Sequence, residues 1–110
     1  MKPLHHPAPD AFRLADVLHA LADPARVAML RRLSGCCEGL ACGAVCDAQP
    51  RSTLSFNLKV LREAGLVRSA RRGKEIVNVI RREEVDARFP GLLDAVFRAD
   101  DAERAASGGG

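Results

Sequence analysis

Between Arg51 and Ile80 the chain runs RSTLSFNLKVLREAG straight into LVRSARRGKEIVNVI. No other stretch constrains the fold as tightly. Leu54, Leu58 and Leu61 recur at helical spacing, so the first half must be a helix with one apolar side, and Gly65 is placed to end it. Residues 66–71 and 75–80 have strand composition, and Gly73 between them permits the turn that pairs them. A helix is thus followed at once by a short hairpin, and both are basic.

Charge is concentrated on that unit. Residues 51–82 hold nine Lys/Arg (51, 59, 62, 68, 71, 72, 74, 81, 82) against two acids, Glu63 and Glu75, for +7; the remainder holds eight basic and twelve acidic residues, for −4. The formal net charge of +3 conceals this polarity. A positive potential confined to one segment points to a polyanionic partner. The chain has four Phe and no Tyr or Trp, too few rings for a single-strand binder that stacks bases, so duplex DNA is the expected ligand.

The remaining segments supply a scaffold. Leu14, Val17, Leu18 and Leu21 stand at i, i+3, i+4 and i+7, predicting a first helix over about 10–22. Asp23 is a candidate N-cap with Pro24 at the first helical position, and Val27, Leu30 and Leu33 give a second helix that ends before Gly35. A short apolar segment over 40–48 precedes Pro50 and the basic helix. Phe89, Leu92, Leu93, Val96 and Phe97 predict one terminal helix with Pro90 near its start. A chain of 110 residues buries only about 60 to 65% of its unfolded surface, so the wide apolar stripe of this helix, with the first helix, is expected to cover a partner subunit.

The expected architecture is therefore α+β and mainly helical: a winged helix-turn-helix of four helices, a two-stranded β-wing and a C-terminal helix, paired as a homodimer through the first and last helices. Residues 1–9 are Pro-rich and aperiodic, read as a flexible arm; 10–106 form the DNA-binding and dimerisation domain; 107–110 are a flexible tail. The N-terminal MKPLHHPAPD has neither the apolar run of a signal peptide nor a membrane span, which predicts a cytoplasmic protein.

LADPARVAMLRRL and STLSFNLKVLREAGLVRSARRGKEIVNVI together resemble the ArsR/SmtB family of metal-sensing and small-effector-sensing repressors, over about residues 12–97. The most specific matches are the DPxR box at Asp23–Arg26 and the SxxSxxLKVLxEAGLV pattern from Ser52. The resemblance implies a homodimeric winged helix, an operator with two-fold symmetry, and release of DNA on effector binding. One departure stands out: the family usually carries one or two His in the recognition helix, where this chain has Phe56 and Asn57. No base preference carries over.

With the leucines turned inward, Arg51, Ser52, Ser55, Phe56, Lys59 and Arg62 form the outer surface of the basic helix. Arg51, Ser52, Ser55 and Phe56 lie in the half that enters a major groove, where Arg can grip guanine and Phe can rest on thymine methyls. The alternative for Phe56 is the core. Lys59 and Arg62 suit phosphates, and Arg71, Arg72 and Lys74 at the wing tip suit the neighbouring minor groove.

Cys36, Cys37, Cys42 and Cys46 fall within eleven residues, in a pattern unlike a disulfide framework. Thiolates select soft ions, and three of these sulfurs could converge on trivalent arsenic or antimony or another thiophilic metal; Cys42 and Cys46 at i, i+4 share a helical side. The family resemblance implies effector cysteines on the helix before the recognition helix, though usually as a CxC pair. Plain packing, a redox or persulfide switch and structural zinc are the competing readings. His5 and His6 are expected to be solvated, His19 to be structural, and a zinc site on the terminal helix is not expected because residues 83–104 lack His.

The expected activity is that of a DNA-binding transcriptional regulator: a repressor of an inverted-repeat operator, released when a thiophilic metalloid or metal binds the cysteines, with no obligatory cofactor. A thiol-redox or persulfide-responsive repressor of the same fold is the alternative, and an effector-independent architectural DNA-binding protein the second. An enzyme is not expected, because a thiol catalyst needs a base or cation beside it and this cluster has Glu38 and Asp47.

Overall fold

The structure, a computed structural model, describes residues 4–36, 38–45 and 49–108. After a 3-10 turn at Pro9–Ala11 come α1 (Leu14–Leu21), α2 (Pro24–Ser34), β1 (Leu40–Ala41), α3 (Cys42–Val45), α4 (Arg51–Ala64), β2 (Val67–Arg72), β3 (Glu75–Ile80), α5 (Arg82–Arg88) and α6 (Leu92–Gly108). None of these helices is long and apolar enough to cross a membrane.

Local chemistry accounts for the principal boundaries. Asp23 caps α2, its carboxylate accepting from Ala25 N at 2.8 Å, and Pro24 opens the helix. α4 ends where Gly65 takes φ +94 and Leu66 N donates to Leu61 O at 2.9 Å. Gly65 is required twice: a Cβ there would lie 2.3 Å from the Phe12 ring. Gly73 has φ +61 and is the first of two turn residues between paired Arg72 and Glu75, as a type II′ turn demands.

One core joins these elements: Phe12 and Val17 of the N-terminal part, Met29, Leu30 and Leu33 of α2, Leu54, Leu58 and Leu61 of α4, Leu66 and Val67 of β2, Val85 of α5 and Leu93 of α6. Of the stripe on α1, Val17 is buried whereas Leu14 and Leu18 are 49% and 47% exposed.

Three details differ from the sequence expectation. The sheet has three antiparallel strands in the order β1-β3-β2, because Leu40 and Ala41 pair with Asn78 and Val77. Two residues carry too little periodicity to announce a strand. The expected single terminal helix is instead α5 and α6, separated at Pro90 and Gly91, where Gly91 has φ +79; Phe89 closes α5 by donating its N–H to Val85 O. α1 starts at Leu14, four residues later than expected, because Pro9 and the 3-10 turn precede it.

Candidate nucleic-acid interface

The roll of α4 decides which side chains can reach a groove, and a buried polar cluster sets it. Arg26 of α2 donates to Ala20 O at 2.7 Å and His19 O at 3.3 Å, the last carbonyls of α1, and to Asn57 Oδ1 at 3.1 Å. Asp23 completes the charge balance at 3.5 Å. Asn57 Nδ2 then donates to Gln49 Oε1 at 2.9 Å. α1, α2 and α4 are thereby tied through one guanidinium, and Asn57 is only 4% exposed. A buried arginine with an acceptor for each of its three nitrogens holds geometry because another arrangement would strand a charge. Arg26 lies in the DPxR box, where nothing in the sequence assigns it a task; Asn57 is legible, since it stands three residues after Leu54 and four before Leu61, on the inner stripe.

With Asn57 inside, Arg51, Ser52, Ser55, Phe56 and Lys59 face solvent. Phe56 is 60% exposed, so of its two expected locations the core is not the one observed. Arg62 is half-buried, and its Nε is enclosed without a hydrogen-bond partner among the described residues. Arg71, Arg72 and Lys74 are exposed at the wing tip, with Arg71 Nε bonded to Gly73 O at 3.4 Å.

Three of the nine basic residues counted in 51–82 are spent elsewhere. Arg81 is buried against Glu84 at 2.8 Å, under its guanidinium lies the Phe12 ring at 4.9 Å, and it donates to Pro7 O at 2.9 Å. Arg68 also pairs with Glu84, at 3.2 Å. Arg82 binds Asp86 at 2.8 Å and Asp94. These partners leave a signature: the Arg81 hydrogen bond holds the Glu84 carboxyl below its ordinary range, and the Asp86 bond pushes Arg82 further up. Among the described residues no carboxylate pairs with Arg51, Lys59, Arg62, Arg72 or Lys74, which with Arg71 are the six basic members of the predicted contact set.

The N-terminal arm meets the root of the wing. His6 Nε2 accepts from Ser69 N at 3.0 Å, on the side of β2 that β3 does not cover. Burial, then Arg62, Arg68, Arg81 and His5, push the His6 imidazole below its ordinary pKa, which keeps Nε2 free to accept.

Of the four cysteines, Cys36 is half-buried in the loop after α2 and Cys42 is half-buried at the start of α3; Cys37 and Cys46 lie outside the described residues. Among the described residues no three His, Cys, Asp or Glu side chains are grouped to hold a metal ion. Cys42 Sγ receives Asn78 Nδ2 at 3.4 Å and lies 3.9 Å from Ile76 O. The described part of α3 packs on β1, β3 and α2.

Comparison with known proteins agrees with this geometry. A family model described as a helix-turn-helix domain matches residues 21–70, which spans α2, α4 and most of β2. The chain is 31% identical over 85 residues to the uncharacterized HTH-type transcriptional regulator YceK of Bacillus subtilis, covering 74% of this chain and 84% of that one. The crystal structure of an ArsR family transcriptional regulator superposes with a TM-score of 0.61 at 21% identity, over 90% of this chain and 94% of the other. The exposed α4 surface, the basic wing and these likenesses together make the chain a member of the HTH-type transcriptional regulators, a DNA-binding protein with a winged helix-turn-helix of the ArsR type.

Proposed function

We propose that this regulator is a homodimeric repressor that binds an inverted repeat, each α4 entering one of two successive major grooves about 34 Å apart, and that thiophilic metalloids or metals release it. The observation that carries the DNA half of this reading is the exposure of Arg51, Ser52, Ser55, Phe56 and Lys59 on one side of α4 while Asn57 is turned in. Arg51, Ser52, Ser55 and Phe56 read base edges. Lys59, Arg62, Arg71, Arg72 and Lys74 hold phosphates, the last three from the wing tip. Residues 10–106 constitute the DNA-binding and dimerisation unit, between the arm at 1–9 and the tail at 107–110.

Dimerisation is supported by Leu14 and Leu18, two large apolar side chains exposed within one turn of α1. The apolar stripe expected on the terminal helix is covered within the subunit instead, with Leu93 buried and Leu92 and Phe97 packed on the core, so covering the α1 leucines with those of a second copy gives the two-fold axis an inverted repeat requires.

The effector half rests on thiol chemistry. Cys36 and Cys42 are partly accessible and flank β1, the third strand of the wing sheet. With Cys37 and Cys46 they offer soft ligands for arsenite, antimonite or cadmium. Release by about five- to 150-fold corresponds to a coupling of about 1 to 3 kcal/mol.

The test is to select an operator from a random duplex pool and titrate the complex with arsenite, antimonite, cadmium and a mild oxidant. Release by a trivalent metalloid at stoichiometric concentration is expected. Release by oxidant alone would move the function to a redox repressor, and an operator affinity indifferent to every addition would leave an architectural DNA-binding protein. Absence of binding to any duplex at low salt would overturn the DNA reading.

A further inference from the structure

Asn78 is 0% exposed in the middle of β3, a costly place for a carboxamide. Every polar atom of its side chain is used. Oδ1 accepts from Ser69 Oγ of β2 at 2.7 Å, while Nδ2 donates to Leu40 O of β1 at 3.2 Å and to Cys42 Sγ at 3.4 Å. Both outer strands of the wing sheet and one thiol thus converge on a single amide. The thiol's own donor has a wing acceptor too, Ile76 O at 3.9 Å. Both of these contacts of Cys42 go to β3, whose hairpin partner β2 carries Arg71 and Arg72.

We propose that Asn78 is the positioning residue through which chemistry at the Cys42 sulfur reaches DNA, and that the route runs through the wing. The inference deepens the thiol-responsive reading above and rests on it. A free thiol accepts the Nδ2 hydrogen on a sulfur lone pair and presents S–H to Ile76 O. Once the sulfur bonds a metalloid, a metal or a second sulfur, S–H is gone and a new substituent occupies the space beside the amide. An N–H enclosed at that depth has no water to turn to, so the carboxamide reorients. Ser69 and Leu40 are held by the same group, so the junction of β1, β3 and β2 must adjust with it. The tip cations then meet the backbone less well, and the loss falls on the sequence-independent part of the affinity. If Asn78 merely fixes strand register, its removal weakens the sheet equally whether or not the thiol is modified.

The full chain carrying Cys36→Ser, Cys37→Ser and Cys46→Ser leaves Cys42 as the sole thiol. Methyl methanethiosulfonate converts it to the methyl disulfide: the thiolate attacks the sulfenyl sulfur, an S–S bond forms and methanesulfinate leaves, and dithiothreitol reverses the change. Mass spectrometry verifies complete modification. Modification is expected to weaken binding to a random duplex at least about five-fold, and to speed amide exchange across β2 and β3. Reduction restores both. With Asn78→Ala added, or the milder Ser69→Ala, the modified and unmodified forms should bind within about two-fold of each other and exchange alike. Ser69→Ala decides the matter if Asn78→Ala does not fold, and amide exchange decides it if duplex affinity is too low to compare.

An equal modification effect in parent and Ser69→Ala chains overturns the proposal, as does modification that leaves both affinity and exchange unchanged in the parent. The two levels of inference fail separately. Arsenite that releases DNA equally from the four-cysteine chain and its Asn78→Ala form overturns the route alone. Arsenite without effect on the four-cysteine chain, beside an intact methyl disulfide response, overturns the metalloid reading alone.

Discussion

Arg51 and Arg62 of α4 and Arg72 of the wing tip differ from Arg31 of α2 and Arg82 of α5 in what stands beside them. On the helical side Arg31 meets Asp101 at 2.6 Å and Asp100 at 3.5 Å, donates to Phe97 O at 2.7 Å, and lies over the Phe97 ring at 5.4 Å. Arg82 lies over the same ring at 5.6 Å while binding Asp86 and Asp94. These cations fasten α6 to α2 and α5. On the other side, no carboxylate among the described residues lies within ion-pair distance of Arg51, Lys59, Arg62, Arg72 or Lys74. One residue type therefore does two jobs, and the distribution of acids decides which. Arg31 and Arg82, matched to carboxylates, stabilise the fold, whereas the cations of α4 and the wing that no carboxylate meets can take phosphates.

The largest test of that contrast is to remove the wing tip. Replacing Arg71, Arg72 and Lys74 by Ala is expected to lower duplex affinity by about two decades near 0.1 M salt and to flatten the slope of log affinity against log salt by up to about three. Unfolding free energy should stay within about 0.5 kcal/mol of the parent, as for exposed residues generally. Fluorescence anisotropy across a salt series, with a denaturant titration beside it, reads both; an unchanged slope removes the wing from the interface.

Arg81→Met should do the reverse. It strips Glu84 of its closest partner and Pro7 O of its donor, and should cost about 2 kcal/mol in denaturant unfolding, since Glu84 retains some solvent. The salt slope of DNA binding should not move. A slope that fell by one would place Arg81 among the phosphate contacts instead.

Phe56→Ala sharpens the contrast within α4 itself. A ring on thymine methyls carries sequence discrimination, so the selected operator should lose about 1 to 2 kcal/mol of affinity while a random duplex loses none. Equal losses on both duplexes would make Phe56 a shape contact.

The smallest effect concerns the arm. His6 is held as the neutral acceptor of Ser69 N, with its pKa lowered chiefly by burial and then by three arginines. A folded pKa below the unfolded 6.5 means that docking is fully present above pH 6.5 and is lost as pH falls through the lower, folded value. The protection factor of the Ser69 amide, its exchange rate taken relative to the unstructured rate at each pH, should fall over that interval, and His6→Ala should abolish the dependence. A Ser69 protection factor that is flat from neutral to acid pH would detach the arm from β2.

Much of the scaffold was legible before any coordinate. Asp23 and Pro24 announced the start of α2, Gly65 the end of α4, and Gly73 the wing turn, because each answers a backbone requirement that only a few residue types meet. Leu54, Leu58 and Leu61 oriented α4, and Asn57 could have been added to their stripe. β1 was not legible, since a two-residue strand exists only because Asn78 and Val77 lie beside it. The division of the terminal segment into α5 and α6 is not legible, because Pro90 suits the opening of a helix, whereas Gly91 at positive φ lets the chain turn there. Which of the nine basic residues of 51–82 stay available is not legible for a similar reason: Arg68, Arg81 and Arg82 are paired with Glu84, Asp86 and Asp94, which follow that stretch.

By itself the sequence determined the helix faces, the wing and the confinement of positive charge to one stretch, all consequences of the 3.6- and 2-residue periods and of local backbone chemistry. Tertiary structure alone decided which of those cations meet a carboxylate, that Phe56 lies outside the core, and that Cys42 touches the wing. Ion pairs and hydrogen bonds form only within a few ångströms, and residues as far apart as Cys42 and Asn78, 36 positions along the chain, come that close only when the fold brings them together.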